Sequence, residues 1–369
     1  MKVAIMSFPG SPSHGASLQM YALYTTIKHM GHDSVILNYM PANLYEQYHK
    51  TSQKTIKSTI TNIVSNIILP SSEKSFKEFE STMRKIPKEV LIEFGELSKV
   101  TADCDRIVVG SDQVWNMDIT YHDFSFFLDF CHDKLKKVAY APSFGNDEIY
   151  ENEKERIAEL LSGFSFLSAR EKRGCEIINE LTGRDAPMVC DPTFLVTKEE
   201  WKQIAKNPKY KSPYVLYYTI KSSPELYQKA LLFAKEHGLK LIKIGGRLRE
   251  YFDVKNPSVF GVGPAEFLGL LDNAEYVFTN SFHGTALSII LHKNFYVEYS
   301  SNTNIRLINL IDTVNLRECV VNRTDECVEH TVEINYSEVD KLLSPLVIES
   351  QKYIERFLKQ NESNTEISN

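Results

Sequence analysis

The sequence lacks the features that mark several large classes of protein. It contains no basic tract with interleaved aromatic residues, and its net charge of −6 provides no general attraction for nucleic acid. No apolar run is long enough to cross a bilayer, and the N-terminus has no signal-peptide cleavage pattern. We therefore expect a cytoplasmic protein without a nucleic-acid partner. Association with the inner face of the membrane and homo-oligomerisation stay open.

The motifs of many common enzymes are also missing. The six cysteines are scattered, without a CxxC pair or the Cys/His spacing of a zinc site, which predicts reduced thiols and no metal. The sequence contains no GxSxG elbow, HExxH helix, P-loop, GxGxxG loop or Asp-rich metal loop. These absences argue against the common hydrolase and metal-dependent mechanisms.

What remains is the composition of a folded globular protein, with 43% hydrophobic and 24% charged residues. Its 369 residues exceed the usual size of one core. Strand-like and helix-like stretches alternate from residue 2 and again from residue 214. We predict an α/β protein with two Rossmann-like, doubly wound domains, residues 1–191 and 192–335, and a C-terminal helix that crosses back before a disordered tail, residues 336–369. An apolar helical face at residues 60–68 favours packing on protein over a membrane surface.

The most informative segment is YVFTNSFHGTALSII at residues 276–290, where a strand-like run passes through small polar residues into a helix-like run. His283 lies at the predicted junction, where free backbone N–H groups and the helix dipole favour phosphate or carboxylate. A lone histidine there more often caps its own helix. The neighbouring small hydrogen-bonding residues instead indicate a ligand site, formed with Asn280, Ser281, Gly284 and Thr285.

A second candidate is VGSDQVWN at residues 109–116, which leaves a predicted strand at the edge where open α/β sheets bind ligands. We predict that Trp115 stacks on a sugar while its neighbours hold the hydroxyls. The alternative is a turn in which Trp115 covers the core. The predicted binding residues here are Ser111, Asp112, Gln113, Trp115 and Asn116. Ser143, at the end of another predicted strand, and Gly15, near the start of the first helix, are weaker candidates.

A third candidate, SAREKRG at residues 168–174, places three cations at the start of a helix. The helix dipole disfavours cations there, so a bound anion is indicated, although Glu171 offsets part of the charge. We predict Arg170 as the anion clamp, with Arg173 beside it. For Lys172 and Arg173 a solvated charged turn is an equal alternative.

Taken in order, these segments resemble the polysaccharide pyruvyl transferase family. The matching stretches are HGASLQMYAL, GSDQVWN, FFLDF, KKVAYAPSFG, SAREKRG, VCDPTFL, NAEYVFTNSFHGTALSI and NLR. One departure is visible, because His14 precedes Gly15 where the family commonly has asparagine.

The resemblance implies a fold similar to GT-B glycosyltransferases, with two domains facing a cleft. It also implies transfer of pyruvate from phosphoenolpyruvate to a sugar or lipid-linked oligosaccharide of a capsular or exopolysaccharide precursor, forming a ketal without a metal or cofactor. In that reaction His283 would transfer a proton and Arg170 would grip the carboxylate or phosphate. The alternatives are a GT-B nucleotide-sugar glycosyltransferase and a non-catalytic sugar-binding or assembly factor.

Overall fold

The computed structural model describes residues 1–50, 72–87, 91–210, 213–245, 256–299, 305–322, 324, 327–328 and 331–359. The predicted apolar face at residues 60–68 and the end of the predicted C-terminal tail lie outside these ranges. The chain divides into two compact units. The first contains Met1–His49, Glu80–Val196 and, from Ser344, the rest of the last described helix, whereas the second contains residues 72–79 and Thr197–Leu343.

The first unit is built on a parallel five-stranded sheet in the order β3-β2-β1-β4-β5. Its strands are β1 (Lys2–Met6), β2 (Asp33–Leu37), β3 (Lys85–Ile86), β4 (Arg106–Val109) and β5 (Lys137–Ala139). The helices are α1 (His14–His29), α2 (Ala42–Lys50), α4 (Leu97–Val100), α5 (Met117–Thr120), α6 (Lys154–Ser162) and α7 (Lys172–Thr182), with α3 at residues 72–80. After their first residues, Lys2 and Arg106, the central strands β1 and β4 are apolar and buried, as a parallel sheet covered on both faces requires.

The second unit repeats this architecture with a parallel sheet in the order β10-β9-β6-β7-β8. Its strands are β6 (Tyr214–Tyr218), β7 (Lys240–Ile244), β8 (Ser258–Val259), β9 (Tyr276–Thr279) and β10 (Asn294–Val297). The helices are α8 (Lys198–Ile204), α9 (Pro224–Glu236), α10 (Pro264–Asp272), α11 (Phe282–Ile290), α12 (Ile305–Thr313) and α13 (Tyr336–Lys359). The prediction of two doubly wound, Rossmann-like sheets is confirmed.

Both sheets have the same topological switch point. In each unit the first strand lies between the second and the fourth strands. The chain therefore builds the sheet first on one side of the first strand and then on the other. Loops at the carboxyl ends of these neighbouring strands diverge and leave a crevice where ligands of such folds bind. The switch point lies between β1 and β4 in the first unit and between β6 and β9 in the second.

The last helix contributes to the core of the first unit from Ser344 onward. The Tyr353 hydroxyl donates to the Ala139 carbonyl at 2.9 Å, and Arg106 Nε donates to the Phe357 carbonyl at 3.0 Å. The Ser350 hydroxyl accepts a hydrogen bond from Cys190 N at 2.9 Å. These bonds attach α13 to both β4 and β5.

The observed units differ from the predicted domains in detail. Their boundary falls between Val196 and Thr197, and residues 72–79 cluster with the second unit. Ser75, for example, donates from Oγ to the Gly261 carbonyl at 3.2 Å. Such a contact joins residues far apart in sequence, so local pattern does not reveal it. Across the described ranges, no helix is both long and apolar enough to span a membrane.

Candidate active site

His283 lies at the junction of β9 and α11, in the second unit. β9 ends at Thr279, and α11 begins two residues before Gly284. Ser281 caps the helix, because its hydroxyl accepts from Gly284 N at 3.1 Å and its carbonyl accepts from the Thr285 hydroxyl at 3.0 Å. His283, the second helical residue, is 5% exposed. The sequence therefore located a strand, a polar junction and a helix correctly.

Asn280 joins the two loops at this switch point. Its Oδ1 accepts from Ile220 N at 3.0 Å, and its Nδ2 donates to the Lys221 carbonyl at 2.7 Å. Ile220 and Lys221 follow β6, the strand beside β9. The amide thus fixes the loop after β6 against the start of α11, where His283 lies.

Gly284 allows α11 to approach the sheet closely. A Cβ at this position would lie 2.5 Å from Thr279 Oγ1 and 3.1 Å from Tyr218 Cδ1. Tyr218 is buried beneath the helix start, and burial raises the pKa of its phenol. The phenol therefore stays neutral, and the hydroxyl of Thr279 determines how near the backbone of α11 can come.

An arginine not predicted from the sequence lies over the ring of Phe282, the residue before His283. The Phe282 ring meets the His283 ring edge-on with centroids 5.2 Å apart, and the Arg306 guanidinium lies 5.8 Å from the centroid of Phe282. Arg306 is in the first turn of α12, where the helix dipole disfavours a cation. Arg306 could have been found from the sequence by the same signal that indicated Arg170, which is a cation at the start of a helix.

The loop after β4 is held tightly in the first unit. Gly110 has φ +123°, and a Cβ there would lie 2.0 Å from the Tyr140 carbonyl oxygen, so only glycine fits. Ser111 is fully buried, donates from Oγ to the Ala141 carbonyl at 3.0 Å and donates from N to Gln19 Oε1 at 3.1 Å. Ser111 is therefore part of the loop's support, together with Gln19, which the sequence analysis missed.

Two amides of this loop form a pair. Asn116 Nδ2 donates to Gln113 Oε1 at 3.1 Å, while Asn116 Oδ1 caps α5. A Cβ on Gly145, which has φ +71°, would lie 2.3 Å from Gln113 Oε1 and 2.4 Å from Asn116 Nδ2. Ser143 is fully buried and accepts from Gly145 N at 3.1 Å. The predicted residues Gln113, Asn116 and Ser143 thus lie together at the carboxyl edge of the sheet.

Trp115 does not form the predicted sugar platform. Its side chain is fully buried, its Nε1 donates to the Phe126 carbonyl at 2.9 Å, and its ring stacks on Phe127 with centroids 5.3 Å apart. Burying an indole whose N–H is satisfied stabilises the core. Trp115 is a core residue, which agrees with the alternative prediction of a turn in which Trp115 covers the core.

Arg170 is buried among carboxylates rather than exposed to a ligand. Its Nη1 donates to Asp191 Oδ2 at 2.7 Å and its Nε donates to Glu171 Oε1 at 3.1 Å. Its Nη2 lies 3.7 Å from Asp112 Oδ1. This environment differs from that of the predicted anion clamp, because the chain's own carboxylates surround the guanidinium.

Arg173, the predicted companion of Arg170, belongs to the surface of α7. It donates from Nη1 to Glu180 Oε1 at 2.6 Å and from Nε to the Asp147 carbonyl at 2.8 Å. This matches the solvated charged turn that was the alternative for it.

The loop after β1 also holds a carboxylate of the chain. Glu80 accepts from Gly10 N at 3.0 and 3.1 Å and from the Ser17 hydroxyl at 3.3 Å, and it forms an ion pair with Lys85. Glu80 is 3% exposed, and Gly15 lies buried in the first turn of the neighbouring α1. The backbone N–H of Gly10, which could otherwise bind a phosphate, is therefore occupied by Glu80, a residue that the sequence analysis did not consider.

A sequence model described as Polysaccharide pyruvyl transferase matches residues 14–302, most of the chain. The chain belongs to the polysaccharide pyruvyl transferase family. The matched range contains every site residue predicted from the sequence, whereas Arg306 lies just beyond it. No curated protein is significantly similar to the chain.

Solved structures show similarity of fold. The UDP-GlcNAc 2-epimerase of Methanocaldococcus jannaschii has a TM-score of 0.53 at 13% identity, covering 98% of this chain and 100% of that one. A putative UDP-N-acetylglucosamine 2-epimerase from Listeria monocytogenes gives 0.51 at 10% identity, with coverages of 100% and 97%. The UDP-GlcNAc 2-epimerase of Neisseria meningitidis gives 0.50 at 11%, with 97% and 94%. This member of the pyruvyl transferase family therefore has a GT-B-like α/β fold.

Proposed function

We propose that this protein transfers pyruvate from phosphoenolpyruvate to a sugar of a capsular or exopolysaccharide precursor, forming a cyclic ketal. The acceptor is carried on a lipid diphosphate or a nucleotide in the cytoplasm. The observation that carries the proposal is His283, held at the start of α11 by the capping of Ser281 and the bridging amide of Asn280. Family membership, from residue 14 to residue 302, supports the reaction class.

The reaction needs a group that moves protons near neutral pH. C3 of phosphoenolpyruvate gains a proton and becomes a methyl group, while two sugar hydroxyl oxygens form bonds to C2. Phosphate leaves with the electron pair of its C2–O bond. The two sugar hydroxyls release two protons: one balances the proton taken up at C3, and the other leaves with phosphate. Histidine is the side chain best suited to such transfers, so we assign one of them to His283.

The donor's charge is balanced without a metal in this proposal. The first turn of α11, which contains His283, presents backbone N–H groups and the positive end of the helix dipole at its N-terminus. Arg306, 5.8 Å from the ring of Phe282, adds a cation nearby. Activity that persists in EDTA would support this part of the proposal, and activity that requires an added divalent ion would overturn it.

The test uses purified protein with phosphoenolpyruvate and a panel of lipid-linked and nucleotide-linked sugars. We expect phosphate release coupled to a pyruvate-mass increase on the acceptor. His283→Asn should lower kcat by about 10²–10⁴-fold, the usual contribution of a general acid or base. His132→Asn, at an exposed histidine of the first unit, is the matched control and should leave kcat unchanged. Normal turnover by His283→Asn would refute the assignment.

A nucleotide-sugar glycosyltransferase is the competing proposal, because the Neisseria meningitidis structure of similar fold is described as bound to UDP-GlcNAc. A ligand present at 100 times its Kd stabilises the folded state by about 2.7 kcal/mol, enough to see in thermal unfolding. Stabilisation by phosphoenolpyruvate but not by UDP-sugars supports pyruvyl transfer, and the reverse supports the glycosyltransferase. Acceptor binding without product from either donor would indicate a non-catalytic sugar-binding factor.

A further inference from the structure

The carboxylate of Glu80 is enclosed by hydrogen-bond donors in the first unit. Gly10 N donates to both carboxylate oxygens, at 3.0 Å to Oε1 and 3.1 Å to Oε2. The Ser17 hydroxyl donates to Oε1 at 3.3 Å, and Lys85 Nζ forms an ion pair with Oε2. Each oxygen therefore has two partners, which fills the four lone-pair positions that an ionised carboxylate offers.

The three donors come from separate elements of the first unit. Gly10 lies in the loop after β1, Ser17 lies in α1, and Lys85 lies in β3. Glu80 is the last residue of α3. A backbone N–H, a hydroxyl and an ammonium group thus converge on one carboxylate, which is the set of donors that proteins use to bind a carboxylate or phosphate ligand.

Burial distinguishes this ion pair from a pair on the surface of the same unit. The side chains of Lys85 and Glu80 are 16% and 4% exposed, whereas those of Lys99 and Glu96 are 81% and 54% exposed. Leaving a largely buried charge without a partner is costly, so the Lys85 ammonium needs an acceptor at this position. If the Glu80 carboxylate were removed, an anion from solution could take its place.

The enclosed carboxylate lies where folds of this kind bind phosphate. Gly10 follows β1, which borders the switch point of the first sheet. In doubly wound folds the turn after the first strand commonly holds the phosphate of a ligand through backbone N–H groups. Here the N–H of Gly10 donates to Glu80, so a ligand that carries phosphate or carboxylate could reach this donor only by displacing the side chain.

We propose that Glu80 is the internal ligand of an anion site formed by these three donors. It is a specificity-determining residue, because it keeps ligands that carry carboxylate or phosphate out of the loop after β1. The inference goes beyond the proposed function and does not depend on it, since it follows from the contacts of Glu80 whichever reaction the protein catalyses. For the proposed reaction it implies that phosphoenolpyruvate is excluded from this loop.

The first experiment is chemical rescue. Glu80→Ala removes a CH2–COO⁻ group, which acetate matches in size and charge. We expect the urea midpoint of Glu80→Ala to lie below that of the wild type and to rise saturably with acetate at constant ionic strength, but not with neutral acetamide. Glu80→Gln loses the same charge but still fills the space, so acetate should not rescue it. Glu96→Ala, at an exposed ion pair, is the surface control.

The outcome of the rescue experiment is decisive in either direction. If acetate stabilises Glu80→Ala no more than it stabilises the wild type, Glu80 is a structural tether and the inference is overturned. If Glu80→Ala does not fold in buffer, its refolding yield with and without acetate replaces the urea midpoint. A yield that acetate restores supports the anion site, and a yield that acetate leaves unchanged overturns it.

The second experiment tests the remaining donors and the exclusion of ligands. Adding Lys85→Met to Glu80→Ala should raise the half-saturating acetate concentration by at least about 10-fold, the effect of losing a hydrogen bond to a charged group, and an unchanged value would overturn the site. In calorimetric titration Glu80→Ala should bind one more equivalent of phosphoenolpyruvate than the wild type, and equal numbers would overturn the specificity role. If the wild type binds none, the proposed function fails, whereas one equivalent bound by Glu80→Ala still upholds the inference.

Discussion

Removing the Asn280 amide should destabilise the start of α11 by an amount that the structure allows us to bound. The side chain makes two hydrogen bonds, at 3.0 and 2.7 Å, to the backbone of Ile220 and Lys221. Each such bond contributes about 0.5–1.5 kcal/mol net, so Asn280→Ala should cost about 1–3 kcal/mol. The larger cost of leaving a buried polar group without a hydrogen bond does not apply, because Ile220 is 65% exposed and water can reach its backbone.

The assay is urea unfolding of the variant and the wild type, with turnover measured on the same preparations. Asn273→Ala is the control, since Asn273 makes one side-chain bond, to the Gly269 carbonyl at 2.9 Å, and lies on the surface of the same unit. We expect Asn273→Ala to change stability by no more than about 0.5 kcal/mol and to leave kcat intact. Asn280→Ala should lower both stability and kcat, because His283 is three residues away on the helix start that the amide supports.

A second substitution at the same position separates the two bonds. Asn280→Asp keeps an oxygen to accept from Ile220 N but replaces the donor to the Lys221 carbonyl with a second acceptor, which places two oxygens in repulsive contact. We therefore expect Asn280→Asp to be at least as damaging as Asn280→Ala. Wild-type stability and turnover in both variants would refute the view that this amide holds the site together.

Three other expectations concern single positions. Gly284→Ala should greatly reduce kcat, because its Cβ would lie 2.5 Å from Thr279 Oγ1, whereas Gly95→Ala, with nothing within 4 Å, should not; equal kcat values would contradict this. Gly145→Ala should raise the acceptor KM by displacing the amide pair after β4, and an unchanged KM would count against that pair. Burial raises the pKa of the Cys190 thiol from 9.0 to about 12, so the free energy of unfolding should fall as pH rises from 9 toward 12. The fall should be steeper than in Cys190→Ala, and parallel pH profiles of the two proteins in urea unfolding would contradict this expectation.

The sequence predicted the elements of the fold and the junction at His283 because both depend on local pattern. An apolar strand, a capping serine and an apolar helix face lie within fifteen residues, and nothing distant is needed to recognise them. The environments of Trp115 and Arg170 depend on distant residues. Trp115 stacks on Phe127, and Arg170 bonds to Asp191, 21 positions along the chain. Sequence chemistry marked both side chains as unusual but could not supply their partners.

The same strand order produces switch points of opposite chemical character in the two units. At the first, Glu80 accepts from the backbone N–H of Gly10, so a carboxylate of the chain already occupies a group that could bind an anion. At the second, α11 begins at Phe282 with His283 in its first turn, and Arg306 lies over the Phe282 ring, so an anion is favoured. Phosphoenolpyruvate is an anion and a sugar ring is not. Electrostatics therefore leads us to expect that Arg306→Gln raises the KM for phosphoenolpyruvate with little effect on that for the acceptor.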